Sequence, residues 1–529
     1  MKIRVLCGLG FLLIQAQAFA SECAVEVAFA ANVKSIDLRL EPQEFPITPL
    51  ILLPNNRVAA GTAITEKDDT LITGGRFIVA DIDSGNIEAS IETPTVEGRP
   101  TMMRHVDRSN DGKYLTATGG WLFGGPALLY QADPAFEYRG SHQVTRNLID
   151  PAMGNLFNVL KRAAAGNQMA IAEIRQMFPH VESEDIIEAY ESDPEGFRRE
   201  MAKIFSRATG IPADDERIPV MNVHFHPDRQ RFLLNAGDSV SIRSARDGRE
   251  VQRLDLADAR VPRSMDPPLV YFLGGGDQVL AYSRQFMTLW DVKSGQALDI
   301  QDHAGPTAAV FPRVVSPDAN YFSYVVDKSG PTRQLWRVVE RDGDDDGKQL
   351  RMVAEYTAPG PFRPGSAPTI AFSEKTVYAV GKPGGVVEIR DLETHALVDN
   401  GELKIGTEQE RENMAAPQVA MDLSGQWLVV SAAVRDRDFL ELWSLPQRRG
   451  VRLRLPGPTE PGRERGLSSI EFDPKGEWFS FILSENAPLP PKPGVIYVGG
   501  APERFQQVSS EAYVVDVYKT IARAFAPKP

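Results

Sequence analysis

Three aspartates at alternate positions form the sharpest chemical motif in this sequence. Asp342, Asp344 and Asp346 lie within the run Asp342-Gly343-Asp344-Asp345-Asp346-Gly347. Carboxylates at this spacing converge on calcium, and the glycine permits the tight turn that such a loop needs. Val353 stands where an EF-hand has its bidentate glutamate, and strands rather than helices flank the run. The motif therefore predicts either a calcium loop within a β-hairpin or a solvated acidic turn.

A second set of candidate ligands consists of histidines. His224 and His226 are two residues apart, so in a strand their side chains point to the same face. Two imidazoles on one face can bind a transition metal if a third ligand converges on them, and His105 is the candidate for that ligand. In the alternative interpretation the pair forms the polar side of its strand, and His226 helps to form the turn before Pro227.

Local signatures of catalysis are absent from the sequence. There is no Gly-x-Ser-x-Gly elbow, no His-Glu-x-x-His zinc helix and no glycine loop that leads into Lys-Ser. Gly274-Gly275-Gly276 lies in a turn between strands and does not precede a helix, so it is not expected to bind phosphate. These observations favour a protein without catalytic activity, although a site assembled from distant strands would leave no local motif.

The elements that would position these residues are short strands in a recurring order. An apolar third strand is marked eight times, at positions 78–81, 128–130, 241–243, 289–291, 335–337, 388–391, 442–444 and 514–516. A polar turn before the second strand recurs in phase, for example in Ser316-Pro317-Asp318 and in Asp473-Pro474-Lys475-Gly476. Proline, aspartate and glycine each favour such turns, for different conformational reasons.

The spacing of these turns indicates a β-propeller. Asp228 and Asp277 are 49 residues apart (277 minus 228), and Asp277 and Asp318 are 41 apart (318 minus 277). Periods of about 40–50 residues with four strands each are typical of propeller blades. The Ser-Pro-Asp turn and the Leu-Trp-Asp strand at 289–291 resemble the repeats of WD40-type propellers and of the related TolB-like periplasmic propellers, over roughly residues 50–140 and 217–518.

We therefore predict an all-β propeller of about eight four-stranded blades, with seven as the alternative. Residues 49–147 would form blades 1 and 2, and residues 213–520 the remaining blades, with a tail at 521–529. In the resembled family an N-terminal strand often completes the last blade, and residues 21–48 are the candidates here. His105, His224 and His226 would then be candidate lining residues of the central channel.

Residues 148–212 interrupt the repeats with a helical pattern. Phe197, Met201, Ile204 and Phe205 recur at the spacing of one helix face, and Asp193-Pro194 is a favourable helix start. We predict an insertion of about four helices between two blades. In the resembled fold it would cover the face on which the connections between successive blades emerge.

The N-terminus and the charge indicate export. Residues 1–20 combine Lys2 and Arg4, an apolar run too short to span a bilayer, and Ala18-Phe19-Ala20 at a cleavage position. The net charge is −13, which becomes about −15 (−13 minus 2) without the basic residues of this signal peptide. An acidic protein is repelled by nucleic acids and by anionic membranes, so we expect neither as a partner. We predict a periplasmic or secreted protein without membrane insertion.

Taken together, the sequence favours a non-catalytic scaffold that binds another protein or assists assembly. A metal-dependent, lactonase-like hydrolase centred on the channel is the first alternative. Recognition of a glycan by stacking on Trp121 and Tyr130 is the second. Calcium is the one cofactor that the motifs suggest, and the oligomeric state is not predicted.

Overall fold

The computed structural model describes most of the chain between Ala24 and Phe525. The residues outside the description are 1–23, 42–43, 47, 66–71, 94–102, 120–126, 143, 146–148, 178–181, 195, 198–199, 202, 205–216, 219–221, 237–238, 257–268, 283–285, 303–313, 328–329, 342–346, 360–366, 375, 413, 433–437, 458–462, 468–469, 490–503 and 526–529. The calcium motif at 342–346 and Trp121 therefore lie outside the described residues.

The first part of the chain contains an N-terminal segment and two blades. The N-terminal elements are β1 (Val25–Val27), helix α1 (Phe29–Asn32) and β2 (Val33–Ile36). The strands of blade 1 are β3 (Glu44–Pro46), β4 (Ile51–Leu53), β5 (Arg57–Thr65), β6 (Ile72–Gly74), β7 (Arg76–Asp81) and β8 (Ile87–Glu92). Those of blade 2 are β9 (Met103–Arg108), β10 (Tyr114–Gly119), β11 (Ala127–Gln131) and β12 (Glu137–His142).

A helical segment on a two-stranded ribbon separates blade 2 from blade 3. Its elements are β13 (Val144–Thr145), α2 (Ile149–Ala164), α3 (Gln168–Met177), α4 (Ser183–Ser192) and β14 (Arg217–Ile218). Further helical residues lie between 194 and 204, and Asp193 caps them by accepting a hydrogen bond from the Gly196 N–H at 2.9 Å.

Six more blades follow, each with its strands hydrogen-bonded in chain order. Blades 3 and 4 contain β15 (Val223–Phe225), β16 (Arg231–Ala236), β17 (Ser239–Ser244), β18 (Glu250–Asp255), β19 (Leu269–Leu273), β20 (Gln278–Tyr282), β21 (Phe286–Asp291) and β22 (Ala297–Asp302). Blades 5 and 6 contain β23 (Val314–Val315), β24 (Tyr321–Asp327), β25 (Pro331–Glu340), β26 (Lys348–Thr357), β27 (Thr369–Phe372), β28 (Val377–Lys382), β29 (Val386–Asp391) and β30 (Leu397–Lys404).

The last two blades take in the N-terminal strands. They contain α5 (Glu408–Arg411), β31 (Gln418–Met421), β32 (Trp427–Ala432), β33 (Phe439–Ser444), β34 (Arg449–Arg454), β35 (Glu464–Leu467), β36 (Glu471–Phe472), β37 (Trp478–Leu489), β38 (Arg504–Asp516) and α6 (Val517–Phe525). Strand β2 pairs with β38 as the outermost strand of blade 8, and β1 pairs with β34 at the edge of blade 7.

Apolar side chains between neighbouring blades close the ring. One cluster joins Leu52 and Val58 of blade 1 to Ile482 and Val514 of blade 8, and Ile36 of β2 belongs to it. Trp290 and Trp443 lie in the cores between blades 3 and 4 and between blades 6 and 7. The chain is an eight-bladed β-propeller. The prediction of eight blades rather than seven is confirmed, as is a helical insertion between two blades.

Turn chemistry sets the spacing of the strands within a blade. At the end of the third strand, the carboxylates of Asp81, Asp291 and Asp391 accept hydrogen bonds from the N–H three residues later at 2.6–2.7 Å. Glycine with φ near +70° follows in the first two of these turns, at Gly85 and Gly295. Such turns connect the third strand to the fourth, which is why the motif recurs in blades 1, 4 and 6.

The inserted helices have a hydrophobic core of their own. Its members, as far as the structure describes them, all belong to the insertion; examples are Leu160, Ile174 and Ile186. Within the described residues no helix is long and apolar enough to cross a membrane.

Candidate functional site

The innermost strands surround the axis, and each ends in a turn that leads to the second strand. In each blade, one residue at the end of the inner strand pairs with the first residue of the second strand. The residues one and two places before this reference residue occupy equivalent positions in all eight blades, and each set of eight is called a level. The level one residue before the reference residue is occupied by Leu52, Arg108, Phe225, Phe272, Val315, Phe372, Met421 and Phe472. The level two residues before the reference residue is occupied by Ile51, Asp107, His224, Tyr271, Val314, Ala371, Ala420 and Glu471.

Arg108 is the one polar residue at a level that is otherwise apolar. The seven other side chains of this level pack in the cores between blades, and Arg108 instead points past blade 1 toward blade 8. Its guanidinium donates to the carbonyl oxygen of Leu52 and, at 3.0 Å, to that of Phe472. Because inner strands are edge strands with unpaired carbonyls, one cation here joins the inner edges of three blades.

Asp107 and His224 make equivalent contacts with the following blade. Asp107 Oδ2 accepts a hydrogen bond from the Phe225 N–H at 3.0 Å, and His224 Nδ1 accepts one from the Phe272 N–H at 3.1 Å. Each side chain thus satisfies an edge N–H of the next inner strand. Desolvation by burial raises the pKa of Asp107 to about 6. Desolvation also lowers the pKa of His224 to about 4, and the charge of His226 adds a smaller effect in the same direction.

Glu471 takes the equivalent position in blade 8 without such a contact. None of the described residues forms a hydrogen bond or an ion pair with its carboxylate, and burial raises its pKa while the charge of Arg108 opposes that rise. Asp107, Arg108 and Glu471, here called the axial charge cluster, are each partly exposed. A carboxyl group with a pKa near 6 can accept or release a proton close to neutral pH.

The residue at the turn itself caps that turn in six blades, and in five of them it is a serine or an aspartate. Ser109, Ser316 and Ser373 accept hydrogen bonds through Oγ, and Asp422 and Asp473 through Oδ1, from the N–H of the first residue of the second strand at 2.7–3.0 Å.

His226 occupies the same position in blade 3. Its Nδ1 accepts a hydrogen bond from the Asp228 N–H at 3.0 Å, and its ring lies edge-on to Phe272 at 4.7 Å. His226 therefore stabilises a turn.

These turns meet across the axis and form a channel floor. Asn110 Nδ2 donates to the Pro317 carbonyl oxygen at 2.9 Å, which joins blade 2 to blade 5. Arg229 lies 3.8 Å from Glu374 and joins blade 3 to blade 6. Since each pair of blades is three places apart in a ring of eight, the turns approach one another over the centre. The axial charge cluster lies directly above this floor.

The opposite face carries the elements that extend beyond the ring. The connections between blades emerge there, and the helical insertion is one of them because it runs from β12 to β15. Strands β37 and β38 have 12 and 13 residues, about twice the length of strands in most other blades, and they pair throughout. We call this side the open face.

The histidines of the metal hypothesis occupy two neighbouring inner strands. His224 lies in β15 and His226 directly follows that strand, and both use Nδ1 to accept backbone hydrogen bonds. His105 lies in β9 opposite Thr118. Among the described residues no three His, Cys, Asp or Glu side chains converge as metal ligands would. A metal on these histidines stays a prediction, as does calcium on Asp342, Asp344 and Asp346.

Of the two aromatic residues proposed for glycan stacking, Tyr130 is fully buried. Its ring stacks against Phe77 at 5.2 Å and Phe136 at 5.3 Å in the core beside blade 2. It therefore has no face available for a sugar.

No local motif in the sequence marks the axial charge cluster. A signal for it exists, since aligning the eight turns places Arg108 in a column of Leu, Phe, Val and Met. A charged residue at one position of an apolar column breaks the repeat pattern, and such breaks occur at functional or strained positions. The distance between Glu471 and Arg108 along the chain hides their proximity.

Comparison with known proteins gives matches among solved structures alone. No protein-family model and no curated protein sequence matches this chain. Among solved structures, Sqt1 of Chaetomium thermophilum is similar, with 14% identity and a TM-score of 0.46 over 85% of this chain and 95% of the Sqt1 chain. That degree of similarity says nothing about the ligands or partners of this propeller.

Proposed function

We propose that this propeller is a protein-binding scaffold of the periplasm, and that its open face with the inserted helices receives the partner. The observation that carries the proposal is that the insertion has its own core, whose described members lie outside the blades. The cores between blades are complete without it, so its retention calls for a purpose other than ring stability. The turns that form the channel floor close one end of the channel, so a partner would reach the channel from the open face.

The charge of the insertion supports a protein partner. Helix α4 exposes Glu184, Asp185, Glu188 and Glu191, and an ion pair with Arg175 engages one of them, Glu184. A surface of this kind attracts a basic partner and raises the association rate at low ionic strength. The signal peptide predicted at residues 1–20 is the support for export.

The test is to remove the insertion without disturbing the ring. Thr145 and Arg217 are cross-strand partners, so residues 146–216 can be replaced by Asn-Gly, which closes the ribbon as a two-residue hairpin. We expect the variant to melt at the wild-type temperature and to lose the partners that intact protein captures from an envelope extract. Identical partner sets, each quantified against a bead control, would contradict the proposal.

A second candidate is acid–base chemistry at the axial charge cluster, which the pKa of Asp107 favours. This candidate corresponds to the hydrolase alternative, and the axial charge cluster above the channel floor would be its active site. Elemental analysis of the purified protein tests the metal-dependent form of that alternative. A stoichiometric metal that is lost in Asp107→Asn would move the assignment toward an enzyme.

A further inference from the structure

Blade 7 has a fifth strand at its outer edge. Strand β1 runs parallel to β34, with Val25, Glu26 and Val27 opposite Val451, Arg452 and Leu453. Antiparallel neighbours make up the rest of the blade. The edge of blade 7 therefore already accepts an extended segment from a distant part of the chain.

Strand β34 is built like an inner strand rather than an edge strand. Four of its six residues are buried, whereas the outer strands of blades 1 and 2 have none that are buried. Gly450 lies against Trp443, where a Cβ would come within 2.7 Å of the indole ring. An uncovered edge of this kind would leave backbone N–H and C=O groups unpaired beside apolar side chains.

Two arginine side chains on the same edge favour the binding of an acidic segment. Arg452 is buried and bonded to Glu441 and Glu410 at 2.6 and 3.0 Å, which fixes the strand from within. Arg454 is accessible and donates through Nε to Glu26 at 2.8 Å. The Arg454 guanidinium thus forms an ion pair with the acidic residue at the centre of the added strand.

Strand β1 is held by few contacts. It has three residues, Val25 and Glu26 are exposed, and Val27 alone of the three packs against the core between blades 7 and 8. Parallel pairing is slightly weaker per residue than antiparallel pairing. β1 is therefore a short occupant of an edge that needs covering.

We propose that the outer edge of blade 7 is a docking site for an extended segment of a partner protein, which replaces β1 and pairs in parallel with β34. The segment that fits has an acidic residue at the place of Glu26 and an apolar residue at the place of Val27. Recognition is by strand addition, in which backbone hydrogen bonds give affinity and alternate side chains give specificity. The proposal rests on the protein-binding function, and it names a surface distinct from the open face.

The first experiment measures binding of a strand that mimics β1. A fluorescent peptide of residues 22–28 carrying Cys23→Ser is titrated into protein that begins at Phe29 and into protein that begins at Ser21. We expect a saturable rise in anisotropy with the shortened protein and at least tenfold weaker binding to the longer one. Equal binding to both, or no binding to a shortened protein whose melting is cooperative, would overturn the proposal.

Reversal of charge provides the specificity control. A peptide with Glu26→Lys should bind the shortened protein at least tenfold more weakly, and Arg454→Glu in the protein should restore its binding. If shortening impairs folding, Glu26→Lys in the longer protein serves instead, since it repels Arg454 and should open the edge to the wild-type peptide. Failure of the reversed pair to recover affinity would contradict the role of Arg454.

Two further readouts separate this proposal from its alternatives. Light scattering after gel filtration shows whether the shortened protein mixed with the longer one forms dimers, which would assign the edge to a second copy and overturn the proposal. Peptide binding should be unchanged in the variant that lacks residues 146–216. The experiments can therefore contradict the docking site on blade 7 without contradicting partner binding at the open face. They can also contradict partner binding at the open face without contradicting the docking site.

Discussion

At the scale of residues, burial controls the charge of Asp107 and His224 on the inner strands and of His142 on the outer strand of blade 2. The pKa of His224 and that of His142 are both lowered to about 4, mainly because desolvation disfavours the protonated ring. The pKa of Asp107 is raised to about 6, because desolvation disfavours its carboxylate. Between pH 4 and pH 6.5 these groups affect the free energy of unfolding in opposite directions.

His224→Gln should reduce the loss of stability in acid. The folded pKa of His224 lies below its ordinary value of 6.5, so its contribution is fully present above pH 6.5 and is lost as the pH falls toward 4. A glutamine Oε1 can still accept the Phe272 N–H. Urea unfolding at pH 7 and pH 4.5 should show a smaller difference in the variant, by up to about 3 kcal/mol. An undiminished difference would show that His224 is protonated in the folded protein.

Asp107→Asn should change the pH dependence in the opposite sense. Because the folded pKa exceeds the ordinary value of 3.8, stability falls as the pH rises from about 4 to about 6 and stays low above it. The variant keeps an acceptor for the Phe225 N–H and lacks the charge. Relative to wild type it should gain melting temperature between pH 4 and pH 8, whereas Asp399→Asn, at an exposed position on β30, should not.

At the scale of elements, the turns carry contacts between blades as well as within them. Gly276 has φ +101° in the turn of blade 4, and its Cα faces the His226 ring of blade 3. The two blades are thus in contact through a position where a side chain does not fit. Glycine is needed there for both its conformation and its size.

Gly276→Ala should destabilise the protein more than Gly85→Ala. A Cβ at Gly276 would lie 2.0 Å from His226 Nε2, whereas nothing lies within 4 Å of one at Gly85, whose φ is +70°. Both changes strain the backbone, by about 1 kcal/mol each, and only the first displaces a ring. Urea unfolding should separate the two variants by about 2 kcal/mol or more. Equal losses would show that the ring moves freely.

Calcium should raise the melting temperature if the hairpin between β25 and β26 binds it. Arg341 and Gly347 are joined across the base of this hairpin by a backbone hydrogen bond of 2.7 Å, and Asp342, Asp344 and Asp346 lie between them. An ion that binds only the folded state stabilises it by mass action. A thermal melt at millimolar calcium, with Asp344→Asn as the control, tests the site. An unchanged midpoint in the wild type would exclude it.

At the scale of the whole molecule, ring closure depends on the two ends of the chain meeting. Strand β2 completes blade 8, and Arg523 of helix α6 donates to the Ala31 carbonyl oxygen of α1 at 2.5 Å. Strand β2, the second strand of the chain, is therefore paired with the last hairpin. Blade 8 therefore contains strands from both ends of the chain.

Protein that begins at Glu41, without β1, α1 and β2, should not form a closed ring. Its blade 8 would lack the outer strand, and the cluster that Ile36 and Leu38 share with blades 1 and 8 would be open. We expect a noncooperative melt and binding of a hydrophobic dye. Protein that begins at Phe29 keeps β2 and should melt cooperatively. A cooperative melt of the shorter form would show that β2 is dispensable.

About eight four-stranded blades could be predicted from the sequence, with seven as the alternative, because an apolar third strand and a polar turn recur along the chain. Asp81, Asp291 and Asp391 act within a few residues of themselves, so their role is readable from the order of residues. The residues that meet at the axis, by contrast, are brought together only in the closed ring. Arg108 reaches Phe472 across 364 residues of chain, and Asn110 reaches Pro317 across 207. Such contacts follow from the curvature of the closed ring, which brings together one residue from each of several blades and which no single repeat specifies.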